Sequence, residues 1–388
     1  MTGRNSSTSS ELSEEEQAVR IALGAHAAHF AAAAGDYDRA LAQAELALAE
    51  AQALAGPPEL AQCQYVVGMI HGQLQHYAQA IESLRAAYDL YRAQGNLLGV
   101  ADTALLLGLH LQDGNADYQS AIPYIDGGLA IYRTLGDRFD LAAGLNIAAH
   151  VRWYGAGDAE GAERLYQECL QTALAVENRL DALQGVGGLA FAALARGQWD
   201  LAFALQDERL ALARHLGHDH QVKTSLSTMA MTYTYAERYA DALALLDAHP
   251  EVWGNYTVPQ AHIGVGEFGA GFAFLRQATS ENLAGSGRMP YTNILLVGWA
   301  MLLASECALL LARDPLAPHI LPAGERDALV VELLLAVESY AQTDPATRAR
   351  ARRLLAAHDA KMGDTPRPAP PQRSVQELAN AMLALRLG

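Results

Sequence analysis

Small residues recur along this chain every 40 or 41 positions, in two registers that stay in step. The first register is Ala28, Gly68, Gly108, Ala149, Ala190 and Ala230, and the second is Ala40, Ala80, Ala121, Ala162, Ala202 and Ala242. An aromatic residue stands three positions before most of the second set: Tyr37, Tyr77, Tyr118, Trp199 and Tyr239, with Ala159 as the exception. Two such registers over more than 200 residues predict one supersecondary unit stacked at least six times.

Repeat two shows what the unit is. Residues Ala61–Leu74 carry apolar and small side chains at helical spacing, a short turn follows, and a second apolar stripe occupies Ala78–Ala93. Gly95 then ends the second stripe, as glycine does at helix C-termini. Small residues in both registers allow two antiparallel helices to approach closely, so each repeat is predicted to be a tightly packed helix pair.

This pattern resembles the tetratricopeptide repeat (TPR) family, which places a small residue at position eight of the repeat, an aromatic at seventeen and alanine at twenty. Gly68, Tyr77 and Ala80 fit that spacing, whereas repeats three and four are one residue longer. The long period is similar to that of kinesin light chains and of the C-terminal sensor regions of ATP-dependent LuxR-type, maltose-activator-like regulators, which are bacterial. The segment Gly128–Asp137 resembles the latter most. The resemblance implies an all-α, right-handed TPR superhelical solenoid of six to seven helix pairs with a C-terminal helical cap.

The chain is predicted to divide into five segments. Residues 1–12 are expected to form a disordered tail, 13–250 six TPR-like helix pairs, 251–363 degenerate repeats and capping helices, 364–373 a proline-rich linker, and 374–388 an amphipathic helix. The apolar stretch Ile294–Ala312 is long enough to approach a membrane span. Ser305 and Glu306 near its end favour a helix buried between Gly264–Ala278 and Arg326–Tyr340 instead.

Composition argues against several functions. The net charge is −16 and lysine occurs at two positions, so no basic stripe exists for nucleic acid. The polar start of the chain lacks a signal-peptide core, and three distant cysteines are typical of free thiols, which together predict a cytoplasmic protein with no membrane partner. No phosphate loop or nucleophile motif is present, so we expect no enzyme activity and no cofactor. The cluster of His215, His218 and His220 is interpreted as helix-end residues and not as a metal site.

The resemblance implies that the first helix of each pair faces a groove through its second, fifth, ninth and twelfth positions. The candidate partner-binding or ligand-binding residues are therefore Gln62, Tyr65, Met69, Leu105, Gln112, Asn146, His150, Trp153, Gln184, Phe191 and Met231. They include no lysine or arginine, so they differ from the carboxylate clamp of TPR domains that bind peptide termini. Aromatic, methionine and amide side chains suit an apolar peptide or helix. Trp153 is the expected anchor and should be exposed in the free protein.

Three functions remain open at this point. A scaffold or sensor module would hold a protein or peptide segment in the groove, and a regulatory role follows from the resemblance. A peptide-pheromone or small-effector receptor would use Asn146 and its neighbours. A cryptic enzyme would need a groove side chain such as His150. The same wall residues could instead fill a tightly wound solenoid or contact the C-terminal helices, and the sequence does not indicate an oligomeric state.

Overall fold

The structure is a computed structural model that describes residues 13–54, 59–115, 117–250, 252, 257–284, 295, 297–301, 323–340, 343–362 and 373–384. These residues form helices joined by short turns, and no strand occurs among them, which confirms the all-α prediction. Consecutive helices pack against one another as antiparallel pairs, as predicted for a helical-repeat solenoid. The chain separates into two compact units, one ending at Asp137 and the other beginning at Arg138.

The first unit contains three helix pairs. Their bounds are α1 (Glu14–Ala33) with α2 (Tyr37–Ala53), α3 (Glu59–Gln73) with α4 (Tyr77–Gln94), and α5 (Leu97–Asn115) with α6 (Tyr118–Leu135). Ser13 and Glu16 form the capping box expected at the start of α1. Gly95 and Gly136 end α4 and α6 with φ of 67° and 70°, the left-handed conformation that glycine adopts most readily.

The second unit continues the pairs and adds C-terminal helices. Its elements are α7 (Arg138–Val151), a π-helix (Arg152–Ala156), α8 (Ala159–Ala175), α9 (Arg179–Ala195), α10 (Trp199–His215), α11 (Asp219–Tyr235), α12 (Tyr239–Ala248), α13 (Val258–Gly264), α14 (Phe268–Ala284), α15 (Ala323–Ser339), α16 (Pro345–Met362) and α17 (Val375–Ala384). Helices α13 and α14 form a shortened seventh pair. The turn of this pair falls at 265–267, so Ala270, 40 residues after Ala230, lies in its second helix.

The small residues of the two registers meet where the helices of a pair cross. A Cβ atom on Gly68 would stand 2.7 Å from Cγ of Leu84 and 3.2 Å from the carbonyl oxygen of Ala80. Gly108 has the same surroundings in the next repeat, where its Cβ would stand 2.7 Å from Cδ1 of Ile125. These distances confirm that the register marks close helix crossings.

The aromatic residue at the start of a second helix packs against the following repeat at Tyr77 and Tyr239. A Cβ atom on Gly114 in α5 would stand 2.4 Å from Cβ of Tyr77, and one on Gly264 in α13 would stand 2.2 Å from the ring of Tyr239. Glycine near the end of one first helix therefore makes room for the aromatic residue of the preceding repeat.

The extra residue of repeats three and four widens the turn within the pair. In repeat two, the amide of His76 donates to the carbonyl of His71, five residues earlier. In the longer repeats, Asp117 donates to Leu111 and Asp158 to Arg152, six residues earlier in each case. In repeat four, this wider turn is the π-helix that contains Trp153. A π-helix is the usual way to insert one residue into an α-helix.

The apolar segment that begins at Ile294 is buried as far as it is described. Leu295, Val297 and Trp299 belong to one core with residues of α14 and α15, and the Trp299 indole donates to Oγ1 of Thr279 at 3.0 Å. The predicted neighbours are therefore correct for this part, and residues 302–322 lie outside the described residues, as do 1–12 and 363–372. Within the described part of the chain, no helix combines the length and the apolar character needed to span a membrane.

Candidate functional site: the inner wall and helix α16

The second and ninth positions of the first helices form a half-buried stripe in repeats two to six. The ninth positions are Met69, Leu109, His150, Phe191 and Met231, and the second positions are Gln62, Asp102, Ala143, Gln184 and Thr224. Positions two and nine are seven residues apart, which is two helical turns, so they lie on one face. We call these residues, with Tyr65 and Asn146 from position five, the inner wall of their respective units.

The twelfth positions do not belong to this wall. Gly72, Gln112, Trp153, Leu194 and Thr234 are all buried, and Trp153 is 1% exposed. A residue four positions after the small residue lies on the same helix face and is therefore directed into the repeat interface. The prediction that Trp153 is exposed in the free protein is wrong for this reason, and so is the expected access to Gln112.

The fifth positions divide between the two environments. Leu105 is 3% exposed and lies beneath Gly128 of α6, where a Cβ atom would meet Leu105 Cγ at 3.1 Å. Its expected place in an open groove is wrong, because position five lies three residues before the small residue and leans towards the helix crossing. Tyr65 and Asn146 remain half-buried.

The inner wall of the first unit combines apolar, amide and acidic side chains. Tyr65 and Met69 pack at the edge of the core that α1 and α3 share, and Nε2 of Gln62 lies 3.2 Å from Nε2 of His26. Asp102 accepts a hydrogen bond from the Tyr132 hydroxyl. Burial raises the pKa of the Asp102 carboxyl, and the bond from Tyr132 opposes that rise. This wall suits a segment with apolar and basic groups.

Two polar atoms are buried beside this wall. Nδ1 of His110 and Oε1 of Gln112 have no hydrogen-bond partner among the described residues. The His110 ring rests over Gly72, where a Cβ atom would stand 2.1 Å from Nε2. Burial lowers the pKa of His110, so its imidazole is held in the neutral form.

In the second unit, helix α16 covers part of the inner wall. Ala346 of α16 joins one buried cluster with Trp153 and Tyr235, and Phe191 and Met231 pack against that cluster. The Phe191 ring lies 6.4 Å from the Trp153 ring, measured between centroids. The sequence left contact with the C-terminal helices as one interpretation of this wall, and α16 does pack against α9, the helix that carries Phe191.

Arg350 anchors α16 to the repeats. Its side chain is 1% exposed. The guanidinium donates from Nε to Oε1 of Gln260 at 3.0 Å, from Nη1 to the Tyr235 carbonyl at 3.3 Å, and from Nη2 to the Tyr239 hydroxyl at 3.3 Å. It also lies 5.1 Å from the centre of the Tyr235 ring, and Nη2 is 3.4 Å from Sδ of Met301. We call these groups the guanidinium cage.

Further polar contacts fix the start of α16. The Tyr235 and Thr347 hydroxyl oxygens are 2.8 Å apart. Oδ1 of Asp344 accepts from the amides of Ala346 and Thr347, at 3.0 Å each, and caps the helix. Burial raises the pKa of the Asp344 carboxyl. The sequence showed four arginines on this helix but did not indicate that Arg350 turns inward.

His150 is half-buried, and its ring packs at 4.6 Å against the ring of Tyr154. Cys63 and Cys169 are buried free thiols, and burial raises their pKa values to about 11 and about 12, which disfavours the nucleophilic thiolate. No group of three His, Cys, Asp or Glu side chains in the described ranges is placed to hold a metal ion.

These features define a helical-repeat protein whose first helices carry a half-buried inner wall in each unit. Among solved structures, the chain is similar to a Rap protein in complex with competence and sporulation factor, with a TM-score of 0.55, 14% identity, and coverage of 69% of this chain and 75% of that one. It also matches BtubC (BKLC) from P. vanneervenii, with a TM-score of 0.42, 16% identity, and coverage of 54% and 94%. The first likeness shows the helical-repeat fold. No protein-family model and no curated protein matches the chain.

Proposed function

We propose that this protein is a non-enzymatic, regulatory TPR-type scaffold that binds a protein or peptide segment on the inner wall of its first unit. The observation that carries the proposal is the half-buried row of Gln62, Met69, Asp102 and Leu109 on α3 and α5. Every described helix of this unit belongs to one of the three repeat pairs. The row is therefore a face that the pairs themselves do not fill, and its chemistry suits an amphipathic segment.

Two further observations support the assignment. The Rap protein with a similar fold carries a bound factor, so this architecture is compatible with ligand binding. The contact of Gly68 with Leu84 and with the Ala80 carbonyl reproduces the crossing implied by the TPR spacing. We place the protein in the cytoplasm because its described thiols are free and buried.

The test is affinity capture from a native lysate with the wild-type chain and two matched variants. Met69→Ala with Leu109→Ala removes the apolar part of the wall, whereas Leu46→Ala removes an exposed leucine from the second helix α2. The partner captured by the wild type should be retained by Leu46→Ala and lost from the double variant, since an anchoring side chain contributes about 2 kcal/mol to binding. Equal capture by all three chains, with unchanged melting, would refute the proposed wall.

A further inference from the structure

Helix α16 carries charged and polar groups on the side that faces the repeats. Thr343, Thr347 and Arg350 are each at most 1% exposed, and Asp344 is 8% exposed. Every partner that the described residues give the Arg350 guanidinium is neutral: an amide oxygen, a backbone carbonyl, a phenol, a thioether and an aromatic ring. A buried charge without an opposite charge loses its hydration and regains little Coulomb energy. Among the described residues, neutral hydrogen-bond acceptors and the Tyr235 ring therefore replace the water that this charge has lost.

The cage is shaped for a guanidinium. Its groups come from four parts of the second unit, because Tyr235 ends α11, Tyr239 begins α12, Gln260 lies in α13 and Met301 lies in the helical residues 297–301. Arginine presents a planar fork of donors and stacks on aromatic rings, whereas lysine is a compact charge with neither property. The cage therefore selects arginine on an approaching helix.

We propose that α16 is an internal ligand: it occupies the inner wall of the second unit in the place of a partner helix that bears an arginine, and such a partner competes with it. The inference rests on the proposed function, since it takes the inner wall as a binding surface, and it adds the chemistry of the partner. Arg350 is the anchor of the internal ligand. The Tyr235 ring lies beside it, and Phe191 and Met231 pack against the buried cluster that Ala346 of α16 joins.

When α16 leaves its site, the Arg350 charge does not stay buried without a hydrogen-bond partner. Arg350 regains water, and the cage oxygens of Tyr235, Tyr239 and Gln260 can each accept hydrogen bonds from water. A helix that is tethered to its own site has an effective concentration in the millimolar range. An external helix of the same affinity therefore binds the wild-type chain weakly and binds strongly once the internal anchor is removed.

Hydrogen exchange on the wild-type chain tests directly whether α16 leaves its site. The amides of α16 should exchange at least tenfold faster than those of α9 and α11, because α16 leaves its site while the repeats stay folded. Protection of α16 equal to that of α9 and α11 would show that it is a permanent part of the core, and the inference would be wrong.

A labelled peptide of residues 343–362 tests the competition. It should bind full-length Arg350→Met at least tenfold more tightly than it binds the wild type or Arg352→Met, in which an exposed arginine paired with Glu338 is replaced. A peptide that carries Arg350→Met should bind none of the three chains. The inference would be overturned if the peptide bound the three chains with equal affinity. It would also be overturned if the peptides with and without the arginine bound equally well.

Thr347→Val serves as the second variant if Arg350→Met alters the circular dichroism of the protein. It removes the hydroxyl that contacts Tyr235, so the Thr347→Val chain should also bind the labelled peptide more tightly than the wild type does. An unchanged affinity would count against the inference. No lysate partner enters these measurements. Failure of the capture experiment would therefore refute the proposed function, while failure of the peptide experiment would refute the role of α16.

Discussion

The hydroxyl oxygens of Tyr235 and Thr347 lie 2.8 Å apart although 112 residues separate them in the chain. Tyr235 is the last residue of α11, and Thr347 is in the first turn of α16. The bond joins the end of α11 to the first turn of α16, beside the cage that holds Arg350. It therefore links the repeats of the second unit to the C-terminal helices.

Gly68→Leu and Gly108→Leu should each lower the free energy of unfolding by roughly 1–3 kcal/mol. Either side chain overpacks a crossing where a Cβ atom alone would stand 2.7 Å from its neighbour. Urea denaturation measures the change. Gly127→Ala in α6 is the control, because nothing lies within 4 Å of its Cβ position and the substitution should be neutral or stabilising. Unchanged stability of both leucine variants would disprove the crossing assignment.

Trp153→Ala should cost roughly 3–5 kcal/mol of stability, the usual effect of removing a large buried aromatic side chain. Calorimetry or urea unfolding measures it. Leu174→Ala on α8 provides the comparison, because that leucine is 62% exposed and its loss should change stability by less than about 0.5 kcal/mol. A small effect at Trp153 would mean that the indole is not part of the core.

The stability of the first unit should fall below pH 6.5 because of His110. Burial lowers the pKa of its imidazole in the folded state from the usual 6.5, so the unfolded chain takes up a proton first. The contribution of His110 is complete above pH 6.5 and is lost as the pH falls towards the folded value, by up to about 1.4 kcal/mol per pH unit.

The measurement for His110 compares urea unfolding at pH 7.5 and 5.5 for the wild type and His110→Gln. The glutamine variant should lose less stability on acidification. His29→Gln, at an exposed position of α1, should retain the wild-type pH dependence. An identical pH dependence in all three chains would rule out His110 as the responsible group.

Asp344→Asn and Asp344→Ala should have opposite effects at pH 7. Burial raises the pKa of the carboxyl, so ionisation opposes folding and stability decreases as the pH rises from the unfolded value of 3.8 towards the folded one. Asparagine keeps an oxygen for the amides of Ala346 and Thr347 and removes the charge, so it should stabilise. Alanine loses the cap, which typically costs 0.5–2 kcal/mol. Thermal melting distinguishes the two, and equal loss in both would contradict this account.

The repeat architecture could be predicted from the sequence because it is encoded locally. The small residues at Gly68 and Ala80 act within one helix pair, and the longer gap in repeats three and four is visible as a wider turn near Trp153. The exposure of Trp153 could not be predicted in the same way. Counting positions from the family pattern placed it in the groove, whereas position twelve is buried in repeats two to six and Trp153 shares a buried cluster with Ala346 of a distant helix.

The site was less accessible to prediction than the fold. Arg348, Arg350, Arg352 and Arg353 look alike in the sequence, but Arg350 alone among them is fully buried. Its burial depends on Tyr235, Gln260 and Met301, which are distant in the chain. The sequence around Arg350 does not indicate that these residues meet it in the fold. The half-buried place of Met69, in contrast, agrees with the position that the family pattern assigns to it.

The distance along the chain between Arg350 and its cage has a consequence for biosynthesis. Tyr235 leaves the ribosome 115 residues before Arg350 does, which at 5–20 residues per second is a delay of roughly 6–23 s. During that interval the repeats of the second unit can pack, but no helix yet covers the apolar surface at Tyr235 and Phe191. A nascent chain therefore exposes an apolar surface that α16 later covers, and chaperones that recognise apolar surface should associate with this protein before α16 is made.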